Sequence, residues 1–210
     1  NHLILFGVNI LDKKKGGFFN SLIIVNNRFE KIYEYKKQKL VPFGEFLPLE
    51  KILNKFGLKK ITEGHGSFLK GRKQNNFNEE NVSMLPLICY EIIFPKLSQK
   101  SPKGTNLIIN ISEDGWFGDS IGPHQHFSKA IFRAIEQNLF LVRSANKGIS
   151  AIINNKGEII KNLKLDETGN INHRIPLIET NKKNKNDLIF FVLLITYLFI
   201  FLIYKKQNEK

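Results

Sequence analysis

With 210 residues, 42% of them hydrophobic and 24% charged, the chain can bury one sizeable core, which argues against disorder over most of its length. A single cysteine excludes an intrachain disulfide framework and any cysteine-rich zinc site. The formal net charge of +13 would suit nucleic acid if the basic residues alternated with stacking aromatics. They fall instead in short runs, Lys13 to Lys15, then Lys36, Lys37 and Lys39, then Lys182, Lys183 and Lys185, and finally Lys205 and Lys206. Such runs read as solvated faces and linkers, so no nucleic-acid partner is expected.

The chain opens on Asn1-His2-Leu3 and enters an apolar run at once, which reads as a piece of a longer protein. Strand-like runs follow at Leu3 to Phe6, Ser21 to Val25, Leu85 to Cys89, Leu107 to Ile111, Leu139 to Val142 and Ile149 to Ile153. Between Gln125 and Phe140 the period changes to that of a helix. Phe127, Ala130, Ile131, Ala134, Ile135 and Leu139 share one face, with Lys129, Arg133 and Glu136 opposite or flanking it. Asn154 to Gly157 marks a hairpin turn, and Ile171 to Lys185 reads as polar linker. From Leu188 to Tyr204 no charge interrupts an apolar and aromatic run, which at about 1.5 Å per residue is a helix of roughly 26 Å, enough to cross a thin bilayer. Lysines flank both of its ends, so charge alone leaves its orientation open. The alternation of short strands with helical patterns predicts a mixed α/β domain over residues 1–180, a linker over 181–187, a transmembrane helix over 188–204 and a tail over 205–210.

Cys89 closes an apolar strand and is followed by Tyr90 and Glu91, where a strand gives way to a turn. A lone cysteine after Leu87 and Ile88 is by position a buried small hydrophobe, yet sheet ends also display nucleophiles, given a base or cation to sustain the thiolate. Two ordered segments offer such groups. In Tyr35 to Pro48 the prolines at 42 and 48 bracket Gly44, and Glu45 is a carboxylate among apolar neighbours beside a lysine run. In Asn110 to Gly118 the only tryptophan sits between two glycines after a strand, a composition of pocket walls and of packed loops alike. His124 and His126 stand at a metal-ligand spacing, but no third ligand is close in sequence, so a helix-start or packing role is expected and no metal or other cofactor.

The segments LVPFGEFLP, ICYE, GWFGDSIGPHQH, RAIE and RSANKGIS, in this order and ahead of a terminal apolar helix, resemble the C-terminal part of the apolipoprotein N-acyltransferase family. The resemblance implies a nitrilase-like α/β/β/α sandwich, its N-terminal part missing, on the periplasmic side of a bacterial inner membrane, with Lys205 and Lys206 in the cytoplasm. It implies transfer of an acyl chain from a phospholipid, through a cysteine thioester, to the N-terminal amine of a diacylated apolipoprotein, without a cofactor. Carried over residue by residue, Cys89 matches the nucleophile. Lys37 matches the catalytic lysine eight positions ahead of the glutamate of PFGE, and Glu45 and Glu91 match two further glutamates tied to activity. Glu45 would hold Lys37 as a fixed cation facing a developing oxyanion, and Glu91 would orient the site or the incoming amine. Tyr90, Trp116 and Phe117 are expected to contact substrate, with Trp116 toward the acyl chain or the interface.

Two positions depart from the family pattern, Glu113 and Lys147, where asparagine is usual or common. The family's general base, a glutamate of a Trp-Pro-Glu motif, falls ahead of the segment matching Leu3 to Gly7. Two other readings stay open: an amidase or other hydrolase of the same superfamily acting on a small C–N substrate, and a non-catalytic membrane-anchored remnant. A bilayer tether has no purpose for a soluble substrate, which separates the first of these from the acyltransferase.

Overall fold

The computed structural model describes residues 2–49, 67–73, 76–99, 102, 104–178 and 186–208. They form two units, one ending at Thr180 and one beginning at Asn181. In the first, strands β1 (Ile4–Asp12), β2 (Gly17–Val25) and β3 (Lys31–Lys36) make an antiparallel sheet in that order. The second sheet runs β4 (Phe77–Glu79), β5 (Val82–Ile88), β6 (Leu107–Glu113), β7 (Phe140–Asn146), β8 (Ser150–Ile153) and β9 (Ile159–Leu163). Its centre, β5 to β7, is parallel and its flanks are antiparallel.

Side chains alternate across these strands, so each face of the larger sheet meets its own partner. Met84, Ile88, Leu107, Phe140 and Ile152 face Leu22, Ile24 and Tyr35 of the smaller sheet. Leu85, Leu87, Ile108, Leu141 and Ile153 face helix α2 (Gly122–Gln137) through Phe127, Ala130 and Ala134. A short helix α1 (Pro95–Gln99) precedes β6. Three layers, sheet on sheet and helix on sheet, are thus present among the described residues, three of the four expected of a nitrilase-like α/β/β/α sandwich.

Every predicted strand is present, with boundaries moved. β1 and β2 each extend to nine residues, and β5 stops at Ile88, so Cys89 lies beyond the strand rather than in it. β3, β4, β9 and α1 have no counterpart in the sequence-based reading. Helix α2 begins three residues before Gln125 because Pro123 fits its first turn, and it ends at Asn138, whose φ of 54° is the left-handed cap. Its faces differ from expectation at two places. Ile135 is 45% exposed, whereas Arg133, placed opposite or flanking the apolar face, is buried and paired with Glu136.

The hairpin turn at Asn154 is as expected, with Gly157 at φ 85° joining β8 to β9. Residues 171–178 do more than link: Ile171, Ile175 and Ile178 pack on the core between the sheets. Residues 179–185 lie outside those described. In the second unit, α3 (Asn186–Asn208) carries Leu188 to Gln207, long and apolar enough to cross a membrane.

Candidate active site

Strand β5 delivers Cys89 to the first position of a 3-10 turn, Cys89–Ile93, at the carboxyl end of the parallel sheet. Cys89 has a φ of 49°, in the left-handed region that costs a non-glycine residue about 1–2 kcal/mol. Its thiol is half-buried, with Sγ 3.9 Å from the carbonyl oxygen of Glu113 at the end of the neighbouring β6. A strained backbone at a sheet's end, bearing the chain's only thiol, needs partners that hold it there. The structure supplies two sets.

The first set centres on Glu91, which has no exposed surface. Its carboxylate accepts from the backbone N–H of Ile88 (2.8 Å), of Gln38 (2.6 Å) and of Lys39 (3.1 Å), and from the Tyr35 hydroxyl at 3.0 Å. Burial pushes the Glu91 carboxyl above the usual range, while the three N–H groups and the Lys37 ammonium pull it back. Burial and the Glu91 charge likewise raise the Tyr35 phenol, which therefore stays a donor. One side chain thus ties the loop after β3 to the turn that bears Cys89. Glu91, expected to orient the site or the incoming amine, has its carboxylate held by four protein donors.

On that loop Lys37 is buried, and its Nζ donates to Glu45 Oε1 at 2.9 Å. Asn20 Nδ2 donates to the same oxygen at 2.9 Å and the Val41 N–H to Oε2 at 2.8 Å. The loop can turn back within so few residues because Phe43 takes a φ of 63° and Pro42 bridges Phe46. The pairing of Lys37 with Glu45, implied by the family resemblance, is therefore present, and Glu45 has both oxygens engaged.

The second set lies beneath Cys89 and is one connected chain of buried polar groups. Arg143, on β7, directs Nη2 to Asp114 Oδ2 at 2.6 Å and Nε to the Ile149 carbonyl at 3.2 Å, and its Nη1 also donates to Asn110 on β6. Asn110 Nδ2 donates to the Leu87 carbonyl at 3.0 Å. Asp114 Oδ1 accepts from Ser112 Oγ at 2.6 Å and lies 2.9 Å from His126 Nδ1. His126 Nε2 is 3.1 Å from the carbonyl oxygen of Cys89. Burial alone would raise the Asp114 carboxyl, but the His126 contact and the Arg143 guanidinium outweigh it and hold it below the ordinary aspartate value of 3.8. Gly148 is required beside this network, since a Cβ there would stand 2.4 Å from Asp114 Oδ2.

The turn after β6 and the loop around Glu45 instead carry exposed apolar groups. Trp116 and Phe117 form a 3-10 turn after β6, and Trp116 is 67% exposed, as is Ile121. Phe43 and Leu49, in the loop around Glu45, are exposed too. The Phe117 ring lies on Gly122, where a Cβ would come within 2.4 Å, and stands 5.5 Å from the His126 ring. Tyr90 packs edge-on against Phe94 at 5.0 Å. Glu113 accepts from the Gly115 N–H and from Asn146 Nδ2, at 3.0 and 2.6 Å, with Lys147 close by over Gly115. His124 is exposed, whereas His126 is buried, and no metal-binding group of three ligands exists among the described residues.

Asp114, Arg143 and Asn110 stand in the sequence only inside longer segments and are not among the expected site residues. Their signal was a polar group placed inside or at the end of an apolar strand, Asn110 within LIINI and Arg143 after FLV.

A sandwich of two sheets that raises a cysteine on a turn at the end of a parallel strand, beside a buried lysine–glutamate pair, is of the nitrilase type. The carbon-nitrogen hydrolase family matches residues 1–182, and the chain belongs to that family. It is 43% identical over 153 residues to an apolipoprotein N-acyltransferase of Rhizobium leguminosarum bv. trifolii, covering 72% of this chain and 29% of that protein. With the apolipoprotein N-acyltransferase of Rickettsia typhi the identity is 38% over 206 residues, or 96% of this chain and 41% of the relative. The chain therefore spans well under half the length of these relatives. Among solved structures, Nit3 of Saccharomyces cerevisiae, of branch 10 of the nitrilase superfamily, superposes with a TM-score of 0.59 at 20% identity, covering 77% of this chain and 55% of that one. An amidase from Nesterenkonia sp. superposes at 0.57 with 15% identity, covering 79% and 58%.

Proposed function

We propose that this chain forms the nucleophile-bearing part of an apolipoprotein N-acyltransferase. Cys89 Sγ attacks an acyl ester carbonyl of a membrane phospholipid. The new C–S bond replaces the ester C–O bond, and the thiol proton passes to the departing lysophospholipid alkoxide through a carboxylate base. The α-amine of a lipidated N-terminal cysteine then attacks the thioester, a C–N bond replaces the C–S bond, and the amine's proton passes to the departing thiolate, which regenerates the Cys89 thiol.

In both steps negative charge gathers on the carbonyl oxygen. Lys37 is buried against Glu45 with its direction set, so an ammonium there answers that charge without reorganising. Glu45 and Glu91 are engaged by donors within the protein and act here as fixed anions, Glu45 on the lysine and Glu91 on the backbone of both loops. Trp116 and Phe117 present an apolar surface suited to acyl chains, and Tyr90 flanks the nucleophile. Helix α3 is read as spanning the inner membrane, with the sandwich periplasmic and Lys205 and Lys206 cytoplasmic.

The observation that carries the reading is Cys89 on its left-handed turn in a chain about 40% identical to proteins bearing that name. The test is intact-protein mass spectrometry of the full gene product incubated with phosphatidylethanolamine in detergent. An acyl adduct on Cys89, discharged by a diacylglyceryl-cysteine peptide, is expected. Failure to acylate, together with turnover of a small soluble amide, would make it a hydrolase.

A further inference from the structure

We propose that His126 is a positioning residue for the reaction: its Nε2–H fixes the carbonyl of the nucleophile Cys89, and Asp114 and Arg143 hold its ring in place for that task. The proposal deepens the acyltransferase reading and rests on it only for the identity of the substrate.

A carbonyl oxygen can only accept, so the 3.1 Å contact to Cys89 is a hydrogen bond when Nε2 carries hydrogen. The other nitrogen, Nδ1, has an acceptor at 2.9 Å in Asp114 Oδ1 and a donor at 3.2 Å in Arg143 Nη2. With hydrogen on both nitrogens, Nδ1–H donates to Asp114 while Nε2–H donates to Cys89, so the two short contacts are hydrogen bonds at once. The ring is boxed by Phe117 on one side, is 5% exposed, and sits on the first turns of α2, a rigid element.

What this bond does follows from the backbone it grips. At φ 49° the Cys89 carbonyl points away from the direction an extended strand would give it, and no ladder partner awaits it there. The same network reaches the chain on the other side of Cys89, because Asn110, bonded to Arg143, donates to the Leu87 carbonyl at 3.0 Å. Two carbonyls flanking the thiol are therefore held from below by one buried assembly, while Glu91 grips the Ile88 N–H between them. Loss of the His126 grip lets the turn relax toward an ordinary backbone conformation and moves Sγ away from its line of attack, and misplacement of about 1 Å can cost about 10²-fold.

The test uses the full gene product with His126→Gln and His126→Asn. A glutamine amide reaches to where Nε2 stands, whereas an asparagine amide stops near Nδ1. Three quantities are read: the second-order rate of Cys89 alkylation by iodoacetamide, kcat and KM with phosphatidylethanolamine, and the melting temperature. The expected result is a Gln variant within about threefold of the parent, and a folded Asn variant with alkylation down about tenfold and kcat down about 10- to 100-fold at unchanged KM. Equal alkylation rates in folded Gln and Asn variants would overturn the proposal. Should the Asn variant fail to fold, a folded Gln variant that loses both rates would overturn it alone. Alkylation differing as expected while no acyl adduct forms in the parent would leave the positioning role intact and sink the acyltransferase reading.

Discussion

The floor and the rim of the site are built on opposite principles. Beneath Cys89, Arg143, Asp114, Asn110 and Glu91 are almost wholly buried and each has several protein partners. In the turn after β6 and the loop around Glu45, which form the rim in the reading proposed here, Trp116, Phe117, Ile121, Phe43 and Leu49 are large, apolar and exposed. Buried ions are costly to strand, so the floor is fixed in geometry and intolerant of single changes. Exposed apolar groups contribute little to folding, so the rim is free to serve a ligand.

The sharpest way to break the contrast is at Cys89, the proposed nucleophile. Cys89→Ala should leave the fold intact and reduce acyl transfer by at least about 10⁴-fold, read as loss of the adduct and of complementation. Next comes the floor. Arg143→Met strands Asp114 and should cost about 3–5 kcal/mol in denaturant unfolding, and pairing it with Asp114→Leu should recover a good part of that. A cost under 1 kcal/mol for the single change would show that water reaches the network. Lys37→Arg keeps the charge in a buried slot shaped for an ammonium, and should lower kcat about 10²-fold with little effect on KM. Near-parental turnover would mean that charge suffices without position.

Acid sharpens the comparison further. The Asp114 carboxyl is held below 3.8, so its contribution to stability is complete above that value and is lost as pH falls through its lowered folded value. Asp114→Asn should therefore flatten the acid limb of a stability–pH curve, which changes in the rim should leave alone. The smallest effect belongs to Trp116→Ala. Its melting temperature should stay within the scatter of surface substitutions, about 0.5 kcal/mol, while KM for the phospholipid rises several-fold. A large thermal loss with unchanged kinetics would make Trp116 part of the fold.

The sequence carried the central strands and α2 because continuous apolar runs and a 3.6-residue period are local signals. It carried the Lys37–Glu45 pair because both partners lie in one rigid motif. β3 was missed because KIYEYK alternates charge with aromatics, and β4 because three residues hold no period. The floor was illegible for a different reason. Glu91 meets Gln38 across 53 positions, and Arg143 meets Asp114 across 29, so their burial is created by pairing that one sequence cannot display. Arg133 therefore reads as opposite or flanking the apolar face, Arg143 only as part of a motif, and His126 as a helix-start or packing residue.

Because Glu91 grips amides on both sides, the loop after β3 and the turn at Cys89 are coupled like two plates on one rivet. Neither can swing outward without breaking bonds inside a dry interior. Lys37 and Cys89 therefore travel together in any breathing of the domain, and their mutual alignment survives motions that would scatter residues carried on independent loops. Outside this rivet stand the turn from Trp116 to Ile121 and the tip at Phe43, whose large apolar side chains are exposed and bound by no such clamp on Glu91. Alignment of Lys37 with Cys89 and display of apolar surface are thereby assigned to different pieces of chain.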